Sequence, residues 1–367
     1  MGQVILGLAG LSLIIVLPVI CIGGWTVAIS RLLSGRPILQ PEEGQPISWG
    51  LVDLFGLVLV VGIALAILQQ IAVSMTGARL TGEPDSLNAT QQAALIFAFS
   101  VAELLTVGVM CGLILLRGYG LQLFGQRGEQ FISDLLLGLA AFGMLVVPTL
   151  IMQAILAYLM PYEHPLIDML IKDKSVPMAF ASVAAAVIAA PLFEEFAFRG
   201  LFQGWLQDMV DGRSSIANVF LGRVRFFAGG VPNDQSLFTA EEPATTEPVV
   251  VDDDVVTAEL TEENPFHSPQ QAPESPAPVT TIANRSWMQI SAPIFVSALF
   301  FALMHWGQGL APIPLFFLAI GLGYLYQRTR RLTPCIVVHF LLNGQSMALL
   351  LIQVFFVGDD AGALFAK

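Results

Sequence analysis

Eight stretches of about 20 mainly apolar residues restrict the possible folds of this chain more than any other feature. A helix of about that length crosses the roughly 30 Å hydrocarbon core of a bilayer. Hydrophobic residues make up 55% of the 367 residues and charged residues only 12%, against roughly 25% charged residues in a soluble domain. The sequence therefore predicts an all-α fold, a polytopic membrane helix bundle of about eight transmembrane helices. The stretches lie at about residues 4–29, 50–75, 93–116, 132–159, 180–207, 289–307, 311–327 and 334–357.

The basic residues predict how the bundle is oriented. Loops that retain Lys and Arg usually face the cytoplasm. Most Lys and Arg fall in loops on one side, which places both termini outside and the loop of residues 211–286 in the cytoplasm. The side richer in basic residues carries Arg31, Arg36, Arg117, Arg127, Arg213, Arg223, Arg225, Arg285, Arg328, Arg330 and Arg331, and the other carries Arg79, Lys172, Lys174 and Lys367.

The loop of residues 211–286 is the one soluble-looking segment of the chain. It holds many Pro, Asp and Glu residues, and no Lys or Arg occurs between residues 226 and 283, so it carries most of the net charge of −12. Such a composition cannot bury enough apolar surface to fold, which predicts a disordered acidic linker. The sequence thus divides into N-terminal transmembrane helices (1–176), a core helix (177–210), the linker (211–286) and C-terminal core helices (287–367). No basic surface for nucleic acid is predicted.

Charged residues inside the fifth stretch are the first candidates for chemistry. The segment PLFEEFAFRG at residues 191–200 places Glu194, Glu195 and Arg199 in an otherwise apolar run. Ionisable residues inside a membrane span are costly, by about 2.5–3.5 kcal/mol each on insertion scales, and they mark functional sites by default. Glu195 and Arg199 are spaced i, i+4 and can form an ion pair on one helical face. Glu194 then remains free to face a polar cavity.

Two histidines and an asparagine in later stretches are the second set of candidates. Phe301 and His305 are spaced i, i+4, as are His339 and Asn343. Each pair therefore lies on one face of its own predicted helix. Two imidazoles, a carboxamide and the Glu194 carboxyl on three membrane helices favour a shared catalytic or metal site over separate packing roles.

These segments resemble the CPBP family of CAAX proteases and bacteriocin-processing enzymes, also called Abi. EEFAFR at 194–199, FALMH at 301–305 and HFLLN at 339–343 match, in order, the family motifs EExxxR, FxxxH and HxxxN. Each motif alone is weak, but three in this order on apolar spans are specific. The resemblance covers about residues 180–210 and 290–350, a core of four helices.

The resemblance implies an intramembrane endopeptidase, acting on a peptide or protein substrate that in the CAAX branch has a prenylated C-terminus. The residue types suit peptide hydrolysis: Glu194 as general base, His305 to hold or polarise water, and His339 and Asn343 as donors to the oxyanion. Glu195, Arg199 and Phe301 are assigned supporting roles. The lipid bilayer is the predicted partner, and a bacterial cytoplasmic membrane, with the cavity facing the cytoplasm, is the predicted location.

The same residues suit three further functions. A Zn²⁺ ion could be bound by Glu194, His305 and His339 with Glu195 as base, since two imidazoles and a carboxylate form an open catalytic site. We favour a site without a metal cofactor, because no HExxH motif occurs. A proton-coupled transporter and a non-proteolytic immunity protein are also consistent with polar residues in membrane spans. Glu103, in the third stretch, is a further buried acid for which the sequence favours a structural role.

Overall fold

The computed structural model describes residues 2–42, 45–78, 87–125, 128–159, 165–223, 286–352 and 354–355. Over these residues the chain forms helices and turns and no strand, which confirms the predicted all-α fold. The helices are α1 (Gly2–Leu33), α2 (Leu51–Thr76), α3 (Ala89–Leu116), α4 (Phe131–Leu159), α5 (Pro165–Lys172), α6 (Val176–Val210), α7 (Ile216–Leu221), α8 (Trp287–Leu303), α9 (Pro312–Thr329) and α10 (Leu332–Ile352).

Each predicted stretch corresponds to one long helix of the structure. By length and composition, 5 helices among the described residues can cross a membrane: α2, α3, α4, α6 and α10. Shorter apolar helices lie at Leu17–Leu33 in α1 and at α8. The bundle is therefore an integral membrane protein, in which α5 and α7 are additional short helices that the apolar pattern did not predict.

The outer surface of the bundle is apolar, as contact with lipid requires. On α2, Phe55 is 68% exposed and Leu59 is 63% exposed. Large apolar side chains exposed on one helix after another would drive aggregation in water, whereas in a bilayer they contact acyl chains. Polar side chains can then lie on the helix faces that pack inward, away from lipid.

Helix α6 carries the EExxxR motif and departs twice from α-helical geometry. It winds as a π-helix over Ala184–Ala189 and again over Glu195–Gln203. Pro191 lies between these segments and has no N–H with which to bond a preceding carbonyl. π segments are rare and are found most often at functional sites. The second one contains Glu195 and Arg199.

A ladder of polar side chains fixes α6 against α9. Interhelical hydrogen bonds of this kind hold helices together where lipid removes the hydrophobic driving force. Arg199 Nη2 donates to the Ala319 carbonyl at 3.5 Å, Gln203 Nε2 to the Gly323 carbonyl at 2.8 Å, and Gln327 Nε2 to Gln207 Oε1 at 2.6 Å. Every step moves four residues along both helices, so the two run parallel in a fixed register.

The loop before α2 contributes to the same core. Trp49 is 1% exposed, and its indole N–H donates to the Leu201 carbonyl at 2.9 Å. Its ring stacks on Phe124, with 5.0 Å between the centroids, and Phe124 in turn packs on Phe196 at 5.2 Å. Residues outside the apolar stretches thus support the second π segment of α6 from behind.

The start of the predicted linker is folded. Residues 211–223, which we assigned to the linker, form a turn and α7, and Arg223 donates from Nη1 to the Ile47 carbonyl at 2.8 Å. Its Nη2 also lies 3.4 Å from Asp208 Oδ2. The rest of the linker prediction, for residues 224–285, lies outside the described residues. The chain divides into one compact unit of Met1–Arg225 with Thr280–Lys367 and a second unit, Phe226–Val279, that is wholly outside them.

Candidate active site

Glu195 and Arg199 form a fully buried ion pair on the second π segment of α6. Arg199 Nε lies 3.2 Å from Glu195 Oε2, and the two side chains are 1% and 0% exposed. Two opposite charges removed from water are tolerated only when they are paired and further satisfied by polar neighbours. The i, i+4 pair predicted from the sequence is therefore present, and it forms the base of the site.

Arg199 is also fixed by groups on two other helices. Besides its bond to the Ala319 carbonyl, its Cζ atom lies 4.6 Å from the centroid of the Phe301 ring. A guanidinium over an aromatic face gains about 0.5–2 kcal/mol, more when it is desolvated. Phe301 is 0% exposed, so this residue of the FxxxH motif packs directly on the EExxxR motif.

His339 connects α10 to both glutamates of α6. Its Nδ1 lies 2.8 Å from Glu195 Oε1, and its Nε2 lies 3.8 Å from Glu194 Oε2. Because an ionised carboxylate can only accept, the Nδ1 atom carries a hydrogen and donates it to Glu195. The Glu195 carboxylate thereby orients the imidazole so that Nε2 faces Glu194. The 3.8 Å separation exceeds that of a direct hydrogen bond.

Glu194 differs from Glu195 in having a side chain that is partly exposed. Its side chain is 19% exposed, and its buried Oε2 atom has no hydrogen-bond partner. A buried acceptor without a partner costs about 1–3 kcal/mol, and a functional role is one reason for a protein to retain it. Glu194 is thus placed to bind a water or a substrate group that Glu195 cannot reach.

The two glutamates therefore have different neighbours. Glu195 is paired with Arg199 through Oε2 and with His339 through Oε1, whereas Glu194 Oε2 faces His339 Nε2. A carboxylate at Glu194 can accept a proton, and an imidazolium at His339 can donate a hydrogen bond from Nε2 as well as from Nδ1. The facing pair can thus supply a base and a hydrogen-bond donor side by side.

Asn343 bonds to the backbone of α6, a role that the sequence did not reveal. Its Nδ2 donates to the Ala186 carbonyl at 2.9 Å. In the first π segment the N–H of Ala190 bonds to the Ala185 carbonyl, so in the same i to i−5 register Ala186 would pair with Pro191. Proline has no N–H to give, and the carboxamide takes its place. The second hydrogen on Nδ2 remains available for another acceptor.

His305 lies beyond the end of α8, which corrects its predicted position on a continuous helix. Helix α8 ends at Leu303, and the following turn contains Gly307 and Gly309 with φ of +105° and +60°. The ring Nδ1 lies 2.9 Å from the Phe301 carbonyl. A carbonyl can only accept, so Nδ1 carries the hydrogen and caps the C-terminal end of α8. Nε2 is left with a free lone pair.

Phe301 brings the two histidines to the same side chain. Its ring centroid lies 5.0 Å from the ring of His305 and 6.0 Å from the ring of His339. Within the described part of the chain, no three His, Cys, Asp or Glu side chains are grouped so that they could share a metal ion. The structure thus brings Glu194, Glu195 and His339 together, with Asn343 one turn along α10 and His305 across the Phe301 ring.

Sequence reasoning missed two contributors to this site. Trp49 stands in the loop before α2 and Phe124 in a short 3-10 helix, Leu121–Phe124, where no apolar period marks them, yet they pack behind the second π segment. An isolated tryptophan next to the Gly50 that precedes α2 was the available signal. Pro191 was part of the quoted segment, but its effect on hydrogen bonding depends on a π register that the sequence does not display.

The membrane-crossing helices thus bring together a buried glutamate, a partly exposed glutamate, an arginine and a histidine. Residues 277–345 match the family model described as Rce1-like, type II CAAX prenyl endopeptidase Rce1-like. This match confirms the resemblance to CAAX-type proteases over that part of the chain, which contains the FxxxH and HxxxN motifs; the EExxxR motif lies outside it. Comparison with curated proteins and with solved structures gave no match.

Proposed function

We propose that this protein is an intramembrane endopeptidase that uses a water molecule activated by Glu194 and His339. The observation that carries this proposal is the facing of Glu194 Oε2 and His339 Nε2 at 3.8 Å, with Nδ1 held by Glu195. Across that separation one water molecule can form a hydrogen bond to each of the two atoms, with an angle between the two bonds. A base and a donor beside one another are what attack on a peptide carbonyl requires.

Each residue then has a definite part in the reaction. Glu194 removes a proton from water as the water oxygen forms a bond to the carbonyl carbon. The resulting oxyanion accepts hydrogen bonds from His339 Nε2–H and from the second Nδ2–H of Asn343, and one such donor is worth about 3–4 kcal/mol. The C–N bond then breaks, and the proton taken from water ends on the leaving amine. Water and peptide give one acid and one amine.

The supporting residues hold this geometry. Glu195 fixes the tautomer and orientation of His339, as a carboxylate does for the histidine of a catalytic triad. Arg199 compensates the charge of Glu195, and Phe301 packs between Arg199, His305 and His339. His305 contributes its free Nε2 to binding of water or substrate from the turn after α8.

The substrate we propose is a peptide with a prenylated C-terminus, presented from the bilayer. The family match names prenyl endopeptidases, and the apolar outer surface of the bundle allows a lipid-anchored chain to approach laterally. Under the positive-inside rule the site opens to the cytoplasm, and a bacterial cytoplasmic membrane is the proposed location.

Cleavage of a lipid-anchored peptide tests the function directly. Wild-type protein and the His339→Gln variant would be reconstituted in liposomes with a farnesylated CAAX-type peptide and, as a matched control, its S-methyl analogue. We expect wild type to release a C-terminal fragment of the farnesylated peptide and the variant to lose about 10²–10⁴ of this rate. Absence of product from wild type, together with proton-coupled solute uptake, would replace the protease by a transporter.

A zinc-dependent mechanism is the second possibility that these residues suggest. The burial of Glu195 and its two partners are evidence against the predicted form of that mechanism. That mechanism gives Glu195 the role of base, but the side chain is 0% exposed, with His339 on Oε1 and Arg199 on Oε2. A carboxylate held in this way cannot take a proton from water. We therefore propose that the reaction does not require zinc.

Metal analysis of purified protein checks this proposal. We expect far less than one zinc ion per chain and unchanged cleavage after treatment with a chelator, because Glu194 and His339 activate water without a metal. An equimolar content of zinc, with activity lost on chelation and restored by zinc alone, would contradict the metal-free mechanism.

A further inference from the structure

Ser297 on α8 carries a buried hydroxyl that the mechanism above does not use. Its side chain is 1% exposed, and its Oγ atom donates to the Phe198 carbonyl at 3.1 Å. Phe198 belongs to the second π segment of α6. The bond therefore joins α8 to the backbone of the segment that contains Glu195 and Arg199.

Other hydroxyls of the bundle show that this bond is not the usual one for a helical serine. Inside a helix, the hydroxyl of Ser or Thr commonly bonds to the carbonyl four residues earlier in the same helix. The residues that do so here include Ser74, Ser100, Thr106, Thr149 and Ser291. Ser297 instead donates to a neighbouring helix, so its partner is set by the packing of α8 on α6.

The second π segment receives side-chain donors from two elements outside α6. Ser297 donates to the Phe198 carbonyl, and Trp49 donates to the Leu201 carbonyl. At the end of this segment the N–H of Gly204 bonds five residues back, to the Arg199 carbonyl. Because π winding is rare, we infer that contacts from outside the helix are needed to favour it over α winding here.

The winding of this segment determines which way the two glutamates point. Bonds to other helices fix α6 on either side of them: Asn343 donates to the Ala186 carbonyl, and Gln203 donates to the Gly323 carbonyl. A change of winding by one residue between these bonds turns the side chains there by roughly 100°. Such a rotation would carry the Glu194 carboxyl away from the imidazole that it faces at 3.8 Å.

We propose that Ser297 is a positioning residue, whose bond to the Phe198 carbonyl holds α6 in the winding that keeps Glu194 facing His339. This inference rests on the proposed peptidase function. Phe301, one turn along α8 from Ser297, packs edge-on against the Phe198 ring with 5.3 Å between the centroids. One face of α8 thus holds both the backbone and the ring of Phe198. Ser297 acts through α6 and transfers no proton itself.

Removal of the hydroxyl tests this role. Ser297→Ala is expected to lower kcat for the farnesylated peptide in liposomes by about 10–10²-fold, the cost of a small misplacement of a catalytic group, with KM within about threefold of wild type. Ser297→Thr, which keeps a hydroxyl, is expected to recover most of the rate. In the Glu194→Gln background, Ser297→Ala is expected to change the remaining rate by less than about twofold, because the group that Ser297 positions is already lost.

Hydrogen exchange of backbone amides gives a second readout that does not depend on cleavage. We expect faster exchange over residues 195–205 in Ser297→Ala than in wild type, because the segment has lost a bond that holds it closed. The matched control is Ser100→Ala. Ser100 is 3% exposed and its hydroxyl bonds to the Ile96 carbonyl of its own helix, so both kcat and exchange over residues 195–205 are expected to stay as in wild type.

Two results would overturn the inference. One is wild-type kcat and wild-type exchange in Ser297→Ala. The other is the same fold loss of rate with and without the Glu194 carboxyl, which would make the effect of Ser297 general to the fold. If wild type cleaves no peptide, the proposed function fails, and exchange over residues 195–205 still decides whether Ser297 holds the π segment.

Discussion

Replacing Glu194 by glutamine is expected to lower kcat for peptide cleavage by about 10²–10⁴-fold, the usual contribution of a general base. Glutamine keeps the size of the side chain but cannot take a proton from water. The loss is expected because attack on the peptide carbonyl needs an activated water. Steady-state cleavage in liposomes measures it.

The same variant is expected to fold as wild type does. Glu194 Oε2 has no hydrogen-bond partner and its side chain is 19% exposed, so the free energy of unfolding should change by less than about 1 kcal/mol. Thermal unfolding in detergent checks this point. Glu129→Gln, the same change at an exposed residue of the short 3-10 helix Gly128–Gln130, serves as the control. If Glu194→Gln retains cleavage, the base is another residue and the assignment is wrong.

The bundle was predictable because the apolar stretches have the length that a membrane imposes. Helix α2 follows the predicted stretch 50–75 to within a residue at each end. Such agreement reflects a rule of the bilayer and not of this sequence, since every backbone polar group within lipid must be bonded inside a helix. Short helices such as α5 and α7 escape the rule, because they need not cross the membrane.

The sequence predicted which residues form the site, but it did not predict the contacts between them. Charge inside an apolar run identified Glu194, Glu195 and Arg199, because such residues are expensive without a purpose. Pro191 lies between the two π segments of α6, and Asn343 bonds to the Ala186 carbonyl, for which Pro191 has no N–H. An assumption of ideal helices therefore could not show that Asn343 completes the backbone of α6.

The position of His305 shows the same limit. Its i, i+4 spacing from Phe301 was correct, and the ring does bond to the Phe301 carbonyl. The helix nevertheless stops at Leu303, because Gly307, Gly309 and Pro312 follow too closely for it to continue. The i, i+4 spacing predicted that Phe301 and His305 would be neighbours. The turn after α8 determined that the His305 ring bonds to the Phe301 carbonyl.

Replacing Arg199 by methionine is expected to destabilise the protein by about 3–5 kcal/mol, the cost of leaving one partner of a buried ion pair uncompensated. The variant loses the pair with Glu195, the bond to the Ala319 carbonyl and the contact with the Phe301 ring. Arg199→Lys is expected to recover only part of this loss, because an ammonium cannot form the same planar contacts. Unfolding midpoints in detergent compare the variants.

A double variant separates stability from catalysis at this pair. Glu195→Gln combined with Arg199→Met removes both charges, so stability is expected to return to within about 1–2 kcal/mol of wild type, as for other buried pairs replaced together. Cleavage should remain low, because the neutral amide no longer fixes the Nδ1–H of His339 or balances its charge. If the double variant recovers both stability and cleavage, Glu195 does not orient His339, and other groups must hold the imidazole facing Glu194.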